Sequence, residues 1–398
     1  MIDVCLFNFP EMQDFHGYRI RTLDPRPYFR PNDASSIWVT AKRKFGIKSK
    51  IEMLLTAEGV DHLFRSNDPD YRRFTRDFTA KFASCDLLVL STYCPIHPDI
   101  LARDFVKPIK ILGFVDDPVS TYTRGIPYLW AFDGAFYISP SYREGREMAH
   151  ALNDWMCQYT YWWPLVPPQH DGDSNRWPLT IPRGIHNQMG ESFFQNRDIA
   201  VSYIGGFYPP KAKRLSRLRE ALGADFQVYG RWPMCGYAGL FTWRKGRPVF
   251  PRRVRPLSFE QRTSVYCRTK IGFNVHVSDD AAETGNMRMY EVTAHGAMLL
   301  ANKAAGDAHK HIYEPGVEAV FYESLSDAEE KIRYYLSHPE ERIRIARAGF
   351  ARVHRSYDGE QNLKRFLDWA MSVPRVSRRV AGREFTVSSE VLQDKCAG

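Results

Sequence analysis

The chain reads as an α/β protein of two domains, each built on a parallel sheet flanked by helices. Three observations predict this. Its 398 residues exceed what one hydrophobic core organises. Short apolar runs of strand length alternate with helical or loop stretches through the amino-terminal half. The alternation starts afresh at Ile199, after a stretch poor in regular pattern.

In the first half, strands are expected from Val4 to Phe9, Asp86 to Ser91, Ile109 to Val115, Ala135 to Ile138 and Gln158 to Trp163. Residues 14–33, with Pro25, Pro27 and Pro31, read as a long loop after the first strand. Such a loop lies at the edge where open α/β sheets carry ligands, so His16 to Arg19 are expected to reach a cleft. The run Gly113-Phe-Val-Asp116-Asp117-Pro118 is a buried strand ending in two acids before a proline turn. Asp116 or Asp117 either orients or deprotonates an acceptor hydroxyl, or caps the turn. The expected division is 1–170 for the first domain, 171–197 for a linker or insertion and 198–357 for the second domain. Residues 358–398 form a last helix and a loosely held tail.

The second half opens with the strand Ile199 to Ile204, then Gly205-Gly206 before a basic helix carrying Lys211, Lys213 and Arg214. The paired glycines make either a plain tight turn or a loop whose backbone N–H groups approach a diphosphate. The strand Phe226 to Tyr229 follows and leads to Arg231. Between Trp232 and Pro256 the alternation stops. Arg244, Lys245, Arg247, Arg252, Arg253 and Arg255 are interleaved there with Trp243 and Phe250. Three readings compete: a solvated loop, a loop touching donor phosphate or an anionic acceptor, or a nucleic-acid contact.

A helix is expected from Leu257 to Arg268, capped by Ser258 with Glu260 or Gln261 in its first turn. The strand Ile271 to Val275 then delivers His276, which either hydrogen-bonds donor or acceptor or is structural. His309 and His311 alternate by two, a spacing that can bind metal on a strand, but no acid or thiol partner is evident and they read as incidental. Three amphipathic helices close the pattern: Leu325 to Leu336 with a capping box at Ser326 and Glu329, Pro339 to Arg355, and Gly359 to Met371.

The most informative stretch is Glu283-Thr-Gly-Asn286-Met-Arg288-Met-Tyr-Glu291-Val-Thr-Ala294-His-Gly296, a loop running into a helix. A helix starting near Gly285 or Asn286 offers free N–H groups and a positive dipole end to a phosphate, and Arg288 adds charge. Glu283 precedes the helix and Glu291 lies about a turn and a half inside it, so they contact different parts of one extended ligand. A nucleotide sugar is such a ligand.

The E-x7-E spacing followed by A-x-G resembles the donor-site signature of retaining GT-B glycosyltransferases. More narrowly, Lys270-Ile271-Gly-Phe-Asn274-Val-His276, Asn286-x-Arg288-x-x-Glu291 and Gly296-Ala297 are similar to the CgeB (spore-maturation) group, over the segment from Ile199 to about Trp369. The resemblance implies a GT-B fold, two Rossmann-like domains facing a central cleft. It implies Glu283 at the sugar, Glu291 at the ribose, Gly205 and Gly206 near diphosphate, and Lys270 or Arg288 at phosphate. Arg231, Asn274 and Asn286 complete the donor set, and Glu283, Asp116, Asp117 and His276 form the expected catalytic group. It implies no bound metal and a last helix crossing back to the first domain. The co-substrate is a UDP-, GDP- or dTDP-sugar, and the reaction moves its sugar to a hydroxyl acceptor, with retention. Two alternatives stand beside it: a DNA glycosyltransferase acting on hydroxymethylated bases, which would use the basic segment, and a catalytically idle nucleotide-sugar-binding protein.

Composition is compatible with this. The chain is 44% hydrophobic and 25% charged, near the soluble average, and no run approaches the roughly 18 apolar residues of a membrane span. Met1 to Phe9 lacks a basic flank and reads as a first strand rather than a signal peptide, which predicts a cytoplasmic enzyme. The 7 cysteines form no C-x-x-C pair, so packed, reduced thiols are expected. A net charge of +9 allows attraction to a polyanion without identifying one.

Overall fold

The structure, a computed structural model, describes residues 1–7, 14, 16–23, 26–29, 50–54, 56–91, 95–114, 126–138, 160–162, 191–206, 209–230, 243–244, 247–248, 254, 256–276, 285–357 and 359–375. The chain divides into two compact units. One comprises residues 1–137, 146–163 and 364–398, and the other residues 138–145 and 164–363.

The first unit holds a six-stranded parallel sheet of β1 (Ile2–Phe7), β2 (Tyr18–Arg21), β3 (Leu87–Ser91), β4 (Ile109–Phe114), β5 (Gly134–Tyr137) and β6 (Thr160–Trp162), in the order β2-β1-β3-β4-β5-β6. Its inner strands read as near-continuous aliphatic runs because helices cover both faces of a parallel sheet. Leu87 to Leu90, Ile111 and Leu112 are buried. The helices α1 (Lys50–Met53), α2 (Ala57–Arg65), α3 (Pro69–Phe82) and α4 (Pro98–Asp104) belong to this unit. Asp68 caps α3 by accepting from the N–H groups of Asp70 and Tyr71, with Pro69 preset at the first helical position.

The long loop expected over residues 14–33 is corrected at one point. Tyr18–Arg21 pairs in parallel with β1, from Ile2↔Tyr18 to Cys5↔Arg21, and forms the sheet edge. Tyr18 and Ile20 alternate inward, a short half-buried pattern that the surrounding prolines obscured. His16 to Arg19 therefore supply the turn and edge strand. Arg19 pairs with Asp3 at 3.3 Å, and the Tyr18 hydroxyl donates to Asp368 at 2.6 Å.

The second unit holds a five-stranded parallel sheet of β7 (Ile199–Ile204), β8 (Phe226–Tyr229), β11 (Thr269–Asn274), β12 (Met298–Asn302) and β13 (Val320–Tyr322), ordered β13-β12-β11-β7-β8. A separate two-residue hairpin, β9 (Trp243–Arg244) with β10 (Arg247–Pro248), carries part of the basic segment. Helices are α5 (Glu191–Gln195), α6 (Pro209–Leu222), α7 (Phe259–Arg268), α8 (Met287–Ala294), α9 (Leu325–Ser337), α10 (Pro339–Ser356) and α11 (Gly359–Ser372). Phe273 anchors the core, stacking on Tyr322 at 5.2 Å and edge-on to Phe226 at 5.6 Å. Such pairs add about 0.5–1.5 kcal/mol each beyond burial.

Helix α8 approaches the sheet closely because Gly272 of β11 lies under it. A Cβ there would overlap the methyl groups of Val292. Ser258 caps α7 in a full capping box with Gln261, as expected. For α9 the cap is corrected: Ser324, not Ser326, accepts from the Asp327 N–H, so the cap lies two residues earlier. His309 and His311 lie in a 3-10 turn (Ala305–His311) rather than on a strand, which removes their two-residue alternation. The first part of α11 belongs to the second unit and the part from Lys364 to the first. There Phe366 meets Phe136 edge-on at 5.0 Å, and Trp369 stacks on Tyr161 at 5.0 Å.

Candidate functional site

In the second unit the strand order reverses between β7 and β11, since β8 lies on one side of β7 and β11 on the other. The carboxyl ends flanking such a switch point form the crevice where open α/β sheets take ligands. Here those ends are Ile204-Gly205 and Asn274. Arg288, from the first turn of α8, spans them. Its Nε donates to the Ile204 carbonyl at 2.6 Å and its Nη1 to Asn274 Oδ1 at 2.7 Å, while the guanidinium lies over the Tyr203 ring at 4.4 Å.

This arrangement explains one glycine of the pair and not the other. A Cβ on Gly205 would overlap Arg288 Nη2 and come within 2.6 Å of the Tyr203 hydroxyl, whereas a Cβ on Gly206 meets open space. Gly205→Ala is therefore expected to displace the guanidinium and lower stability by roughly 1–3 kcal/mol, the usual cost of overpacking. Gly206→Ala should melt as wild type does. Equal melting temperatures for wild type and Gly205→Ala would refute the steric assignment.

The N-cap of α8 is Asn286, whose backbone is extended but whose side chain makes no cap bond. Its Nδ2 donates instead to Asn274 Oδ1 at 3.3 Å, and its Oδ1 is buried with no hydrogen-bond partner among the described residues. The first N–H groups of α8 thus lack a side-chain cap, next to a fixed cation.

Glu291 lies further along the same helix and is only 4% exposed. The Tyr266 hydroxyl of α7 donates to its Oε2 at 3.2 Å, and Arg262 Nη1 stands 3.8 Å from Oε1. Burial outweighs these partners and pushes its carboxyl up to about 7. Tyr203, Arg262 and Tyr266 were not singled out in the sequence. Arg262 and Tyr266 are four apart on α7, but nothing in that spacing says which helix they face.

Two further expected site residues stand apart from the Arg288 bonds. Lys270 sits at the amino end of β11, about 13 Å of strand from Asn274. It acts there on Asp198, just before β7, so the structure does not bring it to Arg288. His276 is fully buried rather than presented to a ligand, and burial with nearby cations pushes its imidazole down to about 3. It is neutral at working pH and hydrogen-bonded to Asn302. Glu283, Asp116, Asp117, Arg231, Lys245, Arg252, Arg253 and Arg255 lie outside the described residues. Arg244 and Arg247 fall in the β9–β10 hairpin.

Residues 211–368 match the Glycosyl transferase-like family. The structure resembles sucrose-phosphate synthase from Thermosynechococcus elongatus, with a TM-score of 0.56 and 10% identity over 92% of this chain and 98% of that one. It also resembles Anabaena HepE solved with UDP-glucose, with a TM-score of 0.53 and 11% identity over 92% of this chain and 100% of that one. TarM is a further neighbour, with a TM-score of 0.51 and 10% identity over 75% of this chain and 57% of that one. No curated protein matches the sequence. Two parallel-sheet α/β units and these likenesses define the GT-B fold, and with the family match they define the class: a glycosyltransferase. No helix among the described residues is long and apolar enough to cross a membrane.

Proposed function

We propose that the chain transfers a sugar from a nucleoside-diphosphate sugar to a hydroxyl acceptor, with retention, and that it belongs to the CgeB-like group. The observation that carries the reading is Arg288, held between the ends of β7 and β11 beside the uncapped start of α8, with Glu291 further along that helix. On this reading the diphosphate meets the Gly205-Gly206 loop, Arg288 and the α8 amides, and the ribose meets Glu291. Glu283, eight positions earlier, meets the sugar. As the glycosidic bond breaks, the departing diphosphate gains negative charge, which a fixed cation and oriented N–H groups stabilise in place. The anomeric carbon takes on oxocarbenium character, and the acceptor hydroxyl adds to it. Asp116 and Asp117 are proposed for acceptor orientation. The free thiols of Cys5, Cys85 and Cys267 suit a reducing compartment, the cytoplasm.

The test is a panel of UDP-, GDP- and dTDP-sugars, read as slow donor hydrolysis and as calorimetric binding of each diphosphate. Acceptors include saccharides and a duplex carrying hydroxymethylated bases, so turnover on the duplex would select the DNA alternative. Glu283→Gln is expected to lower turnover strongly while sparing diphosphate affinity, since its contact is with the sugar. Equal losses in both would refute that division of roles, and no diphosphate binding below about 1 mM would sink the donor site.

A further inference from the structure

Behind the proposed donor site runs a chain of polar side chains, half-buried at Asn302 and buried at His276 and Asn274, each oriented by the one before it. Asn302, at the carboxyl end of β12, turns Oδ1 toward two donors of His276: the backbone N–H at 2.9 Å and ring Nδ1 at 2.8 Å. A backbone N–H only donates, so the oxygen of this amide, and not its nitrogen, faces His276. Asn302 Nδ2 points instead to the Lys303 carbonyl at 3.4 Å. With an acceptor before it, Nδ1 carries the ring proton. Nε2 of the neutral ring then holds a lone pair, and it faces Asn274 Nδ2 at 3.4 Å. That contact turns Asn274 Oδ1 toward Arg288 Nη1 at 2.7 Å and Asn286 Nδ2 at 3.3 Å.

We propose that Asn302 and His276 are positioning residues for donor binding, setting the Arg288 guanidinium through the amide orientation of Asn274. The proposal rests on the donor-site reading above. Asn274 and His276 are both fully buried, so a misdirected amide has no water to turn to. A ring protonated on Nε2 would aim a donor at the Asn274 NH2 group. The amide would flip, and Arg288 would then face a donor where it now has an acceptor. The surroundings oppose that state. Lys211 and Arg214 of α6 and Arg288 of α8 are the charged groups acting on the ring, all cationic. Arg214 Nη1 donates to the His276 carbonyl at 3.3 Å, and the Tyr322 hydroxyl of β13 donates to the Asn274 carbonyl at 3.0 Å.

Two measurements test the relay. The first is the ring ¹⁵N resonances of His276 in the wild-type protein, assigned by their loss in His276→Gln. Nδ1 should be protonated and Nε2 bare from pH 6 to 8. The second is calorimetric titration with UDP. Asn302→Leu, which removes the acceptor, should weaken UDP at least about tenfold. Asn302→Asp keeps an acceptor for both His276 donors and should bind within about threefold of wild type at pH 8. Its carboxylate favours the imidazolium, so the ratio of its Kd to that of wild type should rise as pH falls. Titration of Glu291 cancels in that ratio. A protonated Nε2 in wild type, or wild-type UDP affinity in folded Asn302→Leu, overturns the proposal. Wild-type protein that binds no nucleoside diphosphate overturns the donor-site reading itself. In that case a bare Nε2 still upholds the relay onto Arg288, and a protonated one removes it.

Discussion

Replacing Arg288 with Ala is expected to eliminate measurable UDP binding and to destabilise the second unit. The side chain joins the ends of β7 and β11 through two charge-assisted hydrogen bonds. Its loss strands the Ile204 carbonyl and takes a strong donor from Asn274 Oδ1. With partial relaxation this costs roughly 2–4 kcal/mol, a large share of a domain's stability. Arg288→Lys should not rescue binding, because one ammonium cannot satisfy both acceptors in the plane of the guanidinium fork. Lys270→Ala, at the opposite edge of the sheet, should leave UDP affinity unchanged. The measurements are calorimetric titration and chemical denaturation. A folded Arg288→Ala protein with wild-type UDP affinity would remove Arg288 from the donor site.

On the proposed reading, Glu291 makes donor binding depend on pH. Its carboxyl, raised to about 7 by burial, would accept two ribose hydroxyls when ionised and fewer, more weakly, when protonated. The ionised fraction rises from about 0.1 at pH 6 to about 0.9 at pH 8, so UDP affinity should rise over that range, by at most about tenfold. UDP's own phosphate also titrates near pH 6, but equally for wild type and Glu291→Gln, so the ratio of their affinities isolates the carboxyl. Stability runs the other way. The folded state holds a proton that the unfolded chain releases near its ordinary value of 4.5. The stabilisation tied to that proton is full below about 4.5 and is lost as pH rises through about 7. Glu291→Gln should remove this decline and be no less stable than wild type at pH 8. An affinity ratio that stays flat from pH 6 to 8 would show that Glu291 is not titrating at the ligand.

His276 gives the opposite signature in acid. Its folded-state value near 3 means that the buried ring resists protonation while the unfolded chain takes up a proton below its ordinary 6.5. Stability from this group is present above about 6.5 and declines as pH falls toward 3.

Much of the fold was legible because its signals are local. Ile199–Ile204 and Phe226–Tyr229 were bounded correctly as short β-prone runs ending at glycine, and the Ser258–Gln261 capping box was visible as a cap followed by a helical pattern. A helix start near Gly285 or Asn286 was expected, and α8 is preceded by Asn286 as its N-cap and by Gly285 at a left-handed φ of +81°. Where local signals competed, the reading slipped. Prolines hid the edge strand Tyr18–Arg21, and a second serine drew the α9 cap from Ser324 to Ser326.

At the candidate site the sequence alone determined which residue types stand at the end of β11 and the start of α8, and so the chemistry available: an arginine, two asparagines and a buried acid. Only the tertiary structure decided their partners. Lys270 lies at the amino end of β11 and His276 just past its carboxyl end, and it is the carboxyl end that meets Arg288. Gly205 is required by a guanidinium 83 positions away, and Glu291 takes its environment from Arg262 and Tyr266 on another helix. Hydrogen bonds and close approaches of this kind depend on which elements become neighbours in space, and residue spacing along the chain does not encode that.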